Sequence, residues 1–145
     1  MSVSVVGLGG YELGPEPGEH LDRDRAASVI RNALESGVDR LDTSENYLDT
    51  QKRVADRLAL AQVEDDVLIA SEAAPGAGVT GGGSGFRHHE IHAACRASLS
   101  RLGRNHLDLY FLDRPDRTGV PLEETWGAMA EFAHAGLVRA IGLSN

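Results

Sequence analysis

Strand-length apolar runs recur along this chain at roughly thirty-residue intervals, with helix-length amphipathic stretches in the gaps between them. The clearest run is Leu107 to Leu112, Leu-Asp-Leu-Tyr-Phe-Leu, which stops abruptly at Asp113. Pro115, two residues on, bars a central strand from continuing. Other runs cover residues 3–8, 38–42, 67–71 and 138–143. Near-continuous apolar runs suit strands covered on both faces, as in a parallel sheet. Strand–helix alternation at this spacing implies right-handed βαβ units. The expected fold is therefore α/β, with five parallel strands and four helices.

The first helix is expected from about Asp22, with Asp22 as cap, Gly37 just past its end, and Ala26, Val29, Ile30, Ala33 and Leu34 on its inner stripe. A second helix is expected over residues 50–61, with Val54, Leu58 and Ala61 facing inward. A third, over 87–102, carries Ile91, Cys95, Ser98, Leu99 and Leu102, with Gly103 as its stop. A fourth, over 121–135, starts at Pro121, presents Leu122, Trp126, Met129 and Ala133 to the sheet, and ends at Gly136.

Length and composition bound the function. With 145 residues the chain reads as one domain, residues 1–145, long enough for a sizeable core. A net charge of −8 argues against nucleic acid or an anionic membrane surface as partner. The single cysteine, Cys95, excludes an intrachain disulfide and suits a reducing compartment. No apolar stretch approaches membrane-spanning length, and residues 1–4 lack a basic segment leading into an apolar one. The expectation is a cytoplasmic protein.

Glycine-rich segments carry no nucleotide fingerprint. Gly7-Leu-Gly-Gly10 lacks the Gly-x-Gly-x-x-Gly spacing, and residues 75–85 lack a Gly-Lys-Ser/Thr ending, so the latter reads as a mobile loop. His88, His89, His92 and Cys95 include an i, i+4 histidine pair but not His-Glu-x-x-His, and read as a solvated helix start. The strand ends are more informative, because sites in barrels and open α/β sheets lie at the carboxyl ends of the strands. Those ends are Asp42, Glu72, Asp113 and Asn145, with Tyr47 on the loop beyond the second strand.

Three segments resemble motifs of the aldo-keto reductase family. Gly37-Val-Asp-Arg-Leu-Asp-Thr-Ser-Glu-Asn-Tyr47 looks like its opening signature. The segment from Ser98 to Asp116 is similar to a second long motif, and Gly136 to Asn145 to a third. The resemblance implies a barrel of eight β/α units, NADPH, and a tetrad of Asp, Tyr, Lys and His that reduces carbonyls. Asp42 and Tyr47 stand in the first two places, while Glu72 replaces the lysine and Asp113 the histidine. The chain reaches only the fifth strand, and of the family's cofactor site it holds only Ser144 and Asn145, which the resemblance implies hold the carboxamide.

From these departures the sequence reading is a non-redox acid–base enzyme on a partial (β/α) TIM-type barrel. Clustered carboxylates retain a proton between them and offer a general acid and a general base for isomerisation, cyclisation, dehydration or hydrolysis. Asp42, Tyr47, Glu72 and Asp113 are the catalytic candidates; Tyr11, Glu45, Arg114 and Asn145 are candidates for contacting a small organic substrate. No cofactor is expected, with Mg²⁺ on the carboxylates as the alternative. Completion by a second copy, as a homodimer, is expected to cover the open sheet. The competing readings are an NADPH-dependent reductase fragment, a catalytically silent subunit that completes a partner, and a decayed site with solvated acids.

Overall fold

The structure, a computed structural model, describes residues 3–13, 22–44, 67–74, 85–114 and 119–145. Its strands are β1 (Leu8–Gly9), β2 (Arg40–Asp42), β3 (Leu68–Ala73), β4 (Leu107–Asp113) and β5 (Val138–Ser144). They form one parallel sheet in sequential order, as βαβ units of a single hand require. The described helices are α1 (Arg23–Glu35), α2 (His88–Leu102) and α3 (Leu122–His134), and Tyr11–Leu13 forms a short 3₁₀ turn. The helix expected over 50–61 lies outside the described residues.

Alternation along the strands separates two faces. Ser71 and Tyr110 face the helices: the Ser71 and Ser98 hydroxyls lie 3.5 Å apart, and the Tyr110 ring meets Phe132 of α3 edge-on at 6.2 Å. That side holds the core, where Ile69, Phe86, Ile91, Cys95, Leu112, Met129 and Phe132 are all buried. On the opposite, inner face Leu109, Phe111, Ala140 and Gly142 are only half-buried. Gly142 pairs in register with Phe111, and a Cβ there would lie 2.6 Å from the Phe111 ring. The glycine is what lets that ring lie across β5.

Asp22 caps α1 as expected, its carboxylate accepting from the Arg25 N–H at 2.9 Å, and Gly37 follows with φ +88°. Several expectations need correction. Val3, Val5 and Val6 are exposed rather than paired, so β1 shrinks to two residues. Val29 is exposed, and Ala27 takes its place beside Ala26 and Ile30. In α3 the inner stripe is Thr125, Ala128, Met129 and Phe132, whereas Leu122 and Ala133 are exposed and Trp126 is only partly buried. Thr125 belongs inside because its hydroxyl donates to the Phe86 carbonyl at 2.8 Å, which removes the cost of burying it.

Candidate functional site

Gly9, Asp42, Thr43, Ser44, Glu72, Phe111, Leu143 and Ser144 line a cleft of about 340 Å³ at the carboxyl end of the sheet. Every strand from β1 to β5 contributes to it except through helix-facing core positions, so one rim is built from the whole sheet. Its size falls in the range of small-ligand sites, roughly 300–1,000 Å³.

The register sets how the acidic groups stand to each other. Asp42 is level with Ala70, Glu72 with Phe111, and Asp113 with Ser144. Each step across the sheet therefore climbs two residues, the kind of stagger that tilted barrel strands impose. At about 3.3 Å of rise per residue and 4.8 Å between strands, Glu72 and Asp113 are roughly 8 Å apart along the backbone, and Asp42 and Asp113 about twice that. The carboxylates form a staircase rather than a compact triad. Glu72, the middle step, still feels the negative charge of both neighbours.

Each step has its own partner. The Asp42 carboxylate lies 3.2 Å from the Arg40 guanidinium and remains partly open to solvent. Glu72 is half-buried. Burial is the main force pushing its carboxyl above the usual range; the negative charges of Asp113 and Asp42 add to it, while a hydrogen bond with Ser44 and the charge of Arg114 oppose it. Asp113 is 1% exposed, and it accepts from Arg114 Nε at 3.0 Å, from an Arg114 terminal nitrogen at 2.7 Å and from the Asn145 amide at 2.8 Å. Arg114 and Asn145 both take left-handed backbone, φ +51° and +64°. The Arg114 N–H also donates to the Ser144 carbonyl at 3.0 Å, so this lock is fixed from main chain and side chain together and offsets the strain.

Of the other sequence candidates, Ser144 lines the cleft, whereas Arg114 and Asn145 bind Asp113, and none of these three lines it. Tyr11, in the turn after β1, is half-exposed and does not line the cleft. Tyr47 and Glu45 lie outside the described residues. Thr43, Ser44, Phe111 and Gly9 were not singled out by the sequence. Ser44 carried a usable signal, since it follows a strand end by two residues; for Phe111 only the register reveals which face it takes. Among the described residues Asp42, Glu72 and Asp113 do not bring their oxygens together as a group able to hold a metal ion.

The family model for the Aldo/keto reductase family matches residues 5–145. The chain is similar to 2,5-diketo-D-gluconic acid reductase B of a Corynebacterium species, 32% identical over 142 residues that cover 96% of this chain and 44% of that protein. It is equally similar to the aldo-keto reductase YhdN of Bacillus subtilis, 32% identical over 150 residues, with 100% and 44% coverage. Among solved structures, an aldo-keto reductase from Klebsiella pneumoniae in complex with NADPH superposes with a TM-score of 0.80 at 29% identity, covering 99% of this chain and 46% of that one. The chain thus spans somewhat under half the length of its relatives, and the partial barrel expected from the sequence stands.

Two expectations are overturned by the same findings. A non-redox acid–base enzyme does not agree with relatives named as reductases, and the absence of any cofactor does not agree with a structural neighbour that carries NADPH. The replaced tetrad positions Glu72 and Asp113 do not outweigh the similarity of the scaffold. Among the described residues no helix is long and apolar enough to cross a membrane.

Proposed function

Because the chain belongs to the aldo/keto reductase family, we propose that it supplies one half of an NADPH-dependent reductase barrel acting on a small organic carbonyl compound. The observation that carries this reading is that one cleft joins Asp42 and Glu72 to Ser144 at the end of β5. The cofactor fit can be judged at Asn145. Its amide nitrogen donates to Asp113 at 2.8 Å and to the Ser144 hydroxyl at 3.3 Å, which presents its side-chain carbonyl as an acceptor suited to a carboxamide N–H. Ser144 and Asn145 are therefore the residues that would hold the nicotinamide end. When bound, NADPH supplies the hydride.

The remaining roles belong to the chain. Tyr47 gives the proton to the carbonyl oxygen, and Asp42, at the end of β2, lines the cleft. Glu72, in place of a lysine, disfavours a nearby tyrosinate and keeps Tyr47 a neutral donor. The Asp113 lock positions Asn145 rather than moving a proton. The replaced pair makes for slow turnover, and that same lock favours a second reading, a silent subunit that binds cofactor and completes a partner.

One experiment separates these. The chain is assembled with the C-terminal half of YhdN, and NADPH binding and aldehyde-dependent NADPH consumption are measured. The assembled barrel should bind NADPH, and Glu72→Lys with Asp113→His should raise turnover by about 10²-fold or more, the usual worth of a restored proton-transfer set. Adding Tyr47→Phe should abolish that gain. Binding without turnover, even after restoration, would identify the silent subunit; no NADPH binding at all would defeat both readings.

A further inference from the structure

We propose that His88, His92 and Glu131 form a Zn²⁺-type divalent metal site on the outer surface of the sheet's helical layer, clamping α2 to α3. His88 and His92 stand one turn apart on α2, and their rings stack loosely, with centroids 4.6 Å apart and a tilt of 34°. Glu131 reaches across from α3 and meets both. Its Oε1 lies 2.9 Å from His88 Nε2, and its Oε2 lies 2.9 Å from His92 Nε2. All three ligand atoms fall within 4.8 Å of one another.

That spacing suits a metal. Zinc binds imidazole nitrogen and carboxylate oxygen at about 2.0–2.2 Å in a tetrahedron, which places neighbouring donors somewhat over 3 Å apart. Rotamer adjustments of a few tenths of an ångström would open the present contacts to that size. The site is also held in advance: the His92 ring packs edge-on against Phe132 at 4.6 Å, and only a quarter of the His92 side chain is exposed. Two imidazoles with one carboxylate select Zn²⁺ and its borderline neighbours over Mg²⁺ or Ca²⁺, which prefer all-oxygen sets. Water completes the coordination on the solvent side. The sequence shows the histidine pair but cannot show Glu131, 39 positions from His92, as the third donor.

The site lies on the helices, across the sheet from the inner face, so it serves to fasten the fold rather than to reduce a carbonyl. The test is a calorimetric titration of the chelator-treated intact chain with Zn²⁺, paired with the visible spectrum of the Co²⁺ form. One equivalent should bind with micromolar affinity and raise the melting temperature. His88→Gln, His92→Gln and Glu131→Gln should each weaken binding about tenfold or more. His89→Gln and His134→Gln, outside the set, should leave it unchanged. All these residues are exposed or, for His92, partly exposed, and melting of the metal-free variants confirms that each is folded. Absence of uptake at millimolar Zn²⁺, or equal affinity in wild type and both His88→Gln and Glu131→Gln, would overturn the site and leave only a histidine–carboxylate hydrogen bond.

Discussion

Glu72 and Asp113 are both carboxylates near strand ends, yet their surroundings differ in the partners they offer. Asp113 is enclosed by an Arg114 guanidinium and the Asn145 amide, so its charge is compensated where it sits. Glu72 is half-buried with Asp113 and Asp42 as negative neighbours, and its carboxyl titrates above the usual range. An acid with a raised folded-state pKa keeps its proton while the unfolded chain has already released it. Stability from this group is therefore complete below the unfolded value and falls as pH rises through the folded one. Glu72→Gln should consequently melt a few degrees above wild type at neutral pH, and the gap should close in acid below the ordinary glutamate range. Calorimetric melting across that pH series checks it; a constant gap would mean that shape rather than charge sets the difference.

The helices show which local rules held. α2 begins with the Arg87 N–H donating to Glu90 Oε2 at 2.8 Å and ends at Gly103, whose φ of +66° lets the Gly103 and Arg104 N–H groups close on the Ser100 and Leu99 carbonyls. A Cβ at Gly103 would meet nothing within 4 Å, so Gly103→Ala isolates the cost of left-handed backbone. That cost is about 1 kcal/mol, or ~3 °C in melting temperature for a chain of this size. A loss well beyond that would point to packing instead. α3 was harder to read because its apolar residues cover a wide arc: Leu122, Trp126, Ala128, Met129, Phe132 and Ala133 offer two overlapping stripes. Contact with Tyr110 and Phe86 decides between them, and neither partner is local in sequence.

Across the whole molecule the two faces of the sheet are unequal. The helix side of β3 and β4 buries Ile69, Tyr110 and Leu112 completely, whereas Leu109, Phe111, Ala140 and Gly142 stay half-buried on the inner side. In a closed barrel such positions are filled by side chains from facing strands. Covering them should stabilise the chain by mass action. Addition of the C-terminal half of YhdN should therefore raise the melting midpoint in proportion to the logarithm of its concentration, with a one-to-one complex in light scattering. If the chain alone instead melts later at higher concentration and scatters as a dimer, a second copy covers the face.

The positions of β2 to β5 and of the three described helices, the Asp22 cap, the Gly37 and Gly103 stops and the parallel order were legible from residues alone, because each depends on neighbours within a turn or on a two-residue alternation. The strand-end location of Asp42, Glu72 and Asp113 was legible for the same reason. What they do to one another was not. Register spreads them into a staircase, Arg114 and Asn145 claim Asp113, and Glu131 joins His88 and His92 from another helix. Apart from the contact of Arg114 with its chain neighbour, these are pairings between segments far apart in the chain, fixed by how strands align and helices pack, and no local pattern encodes them.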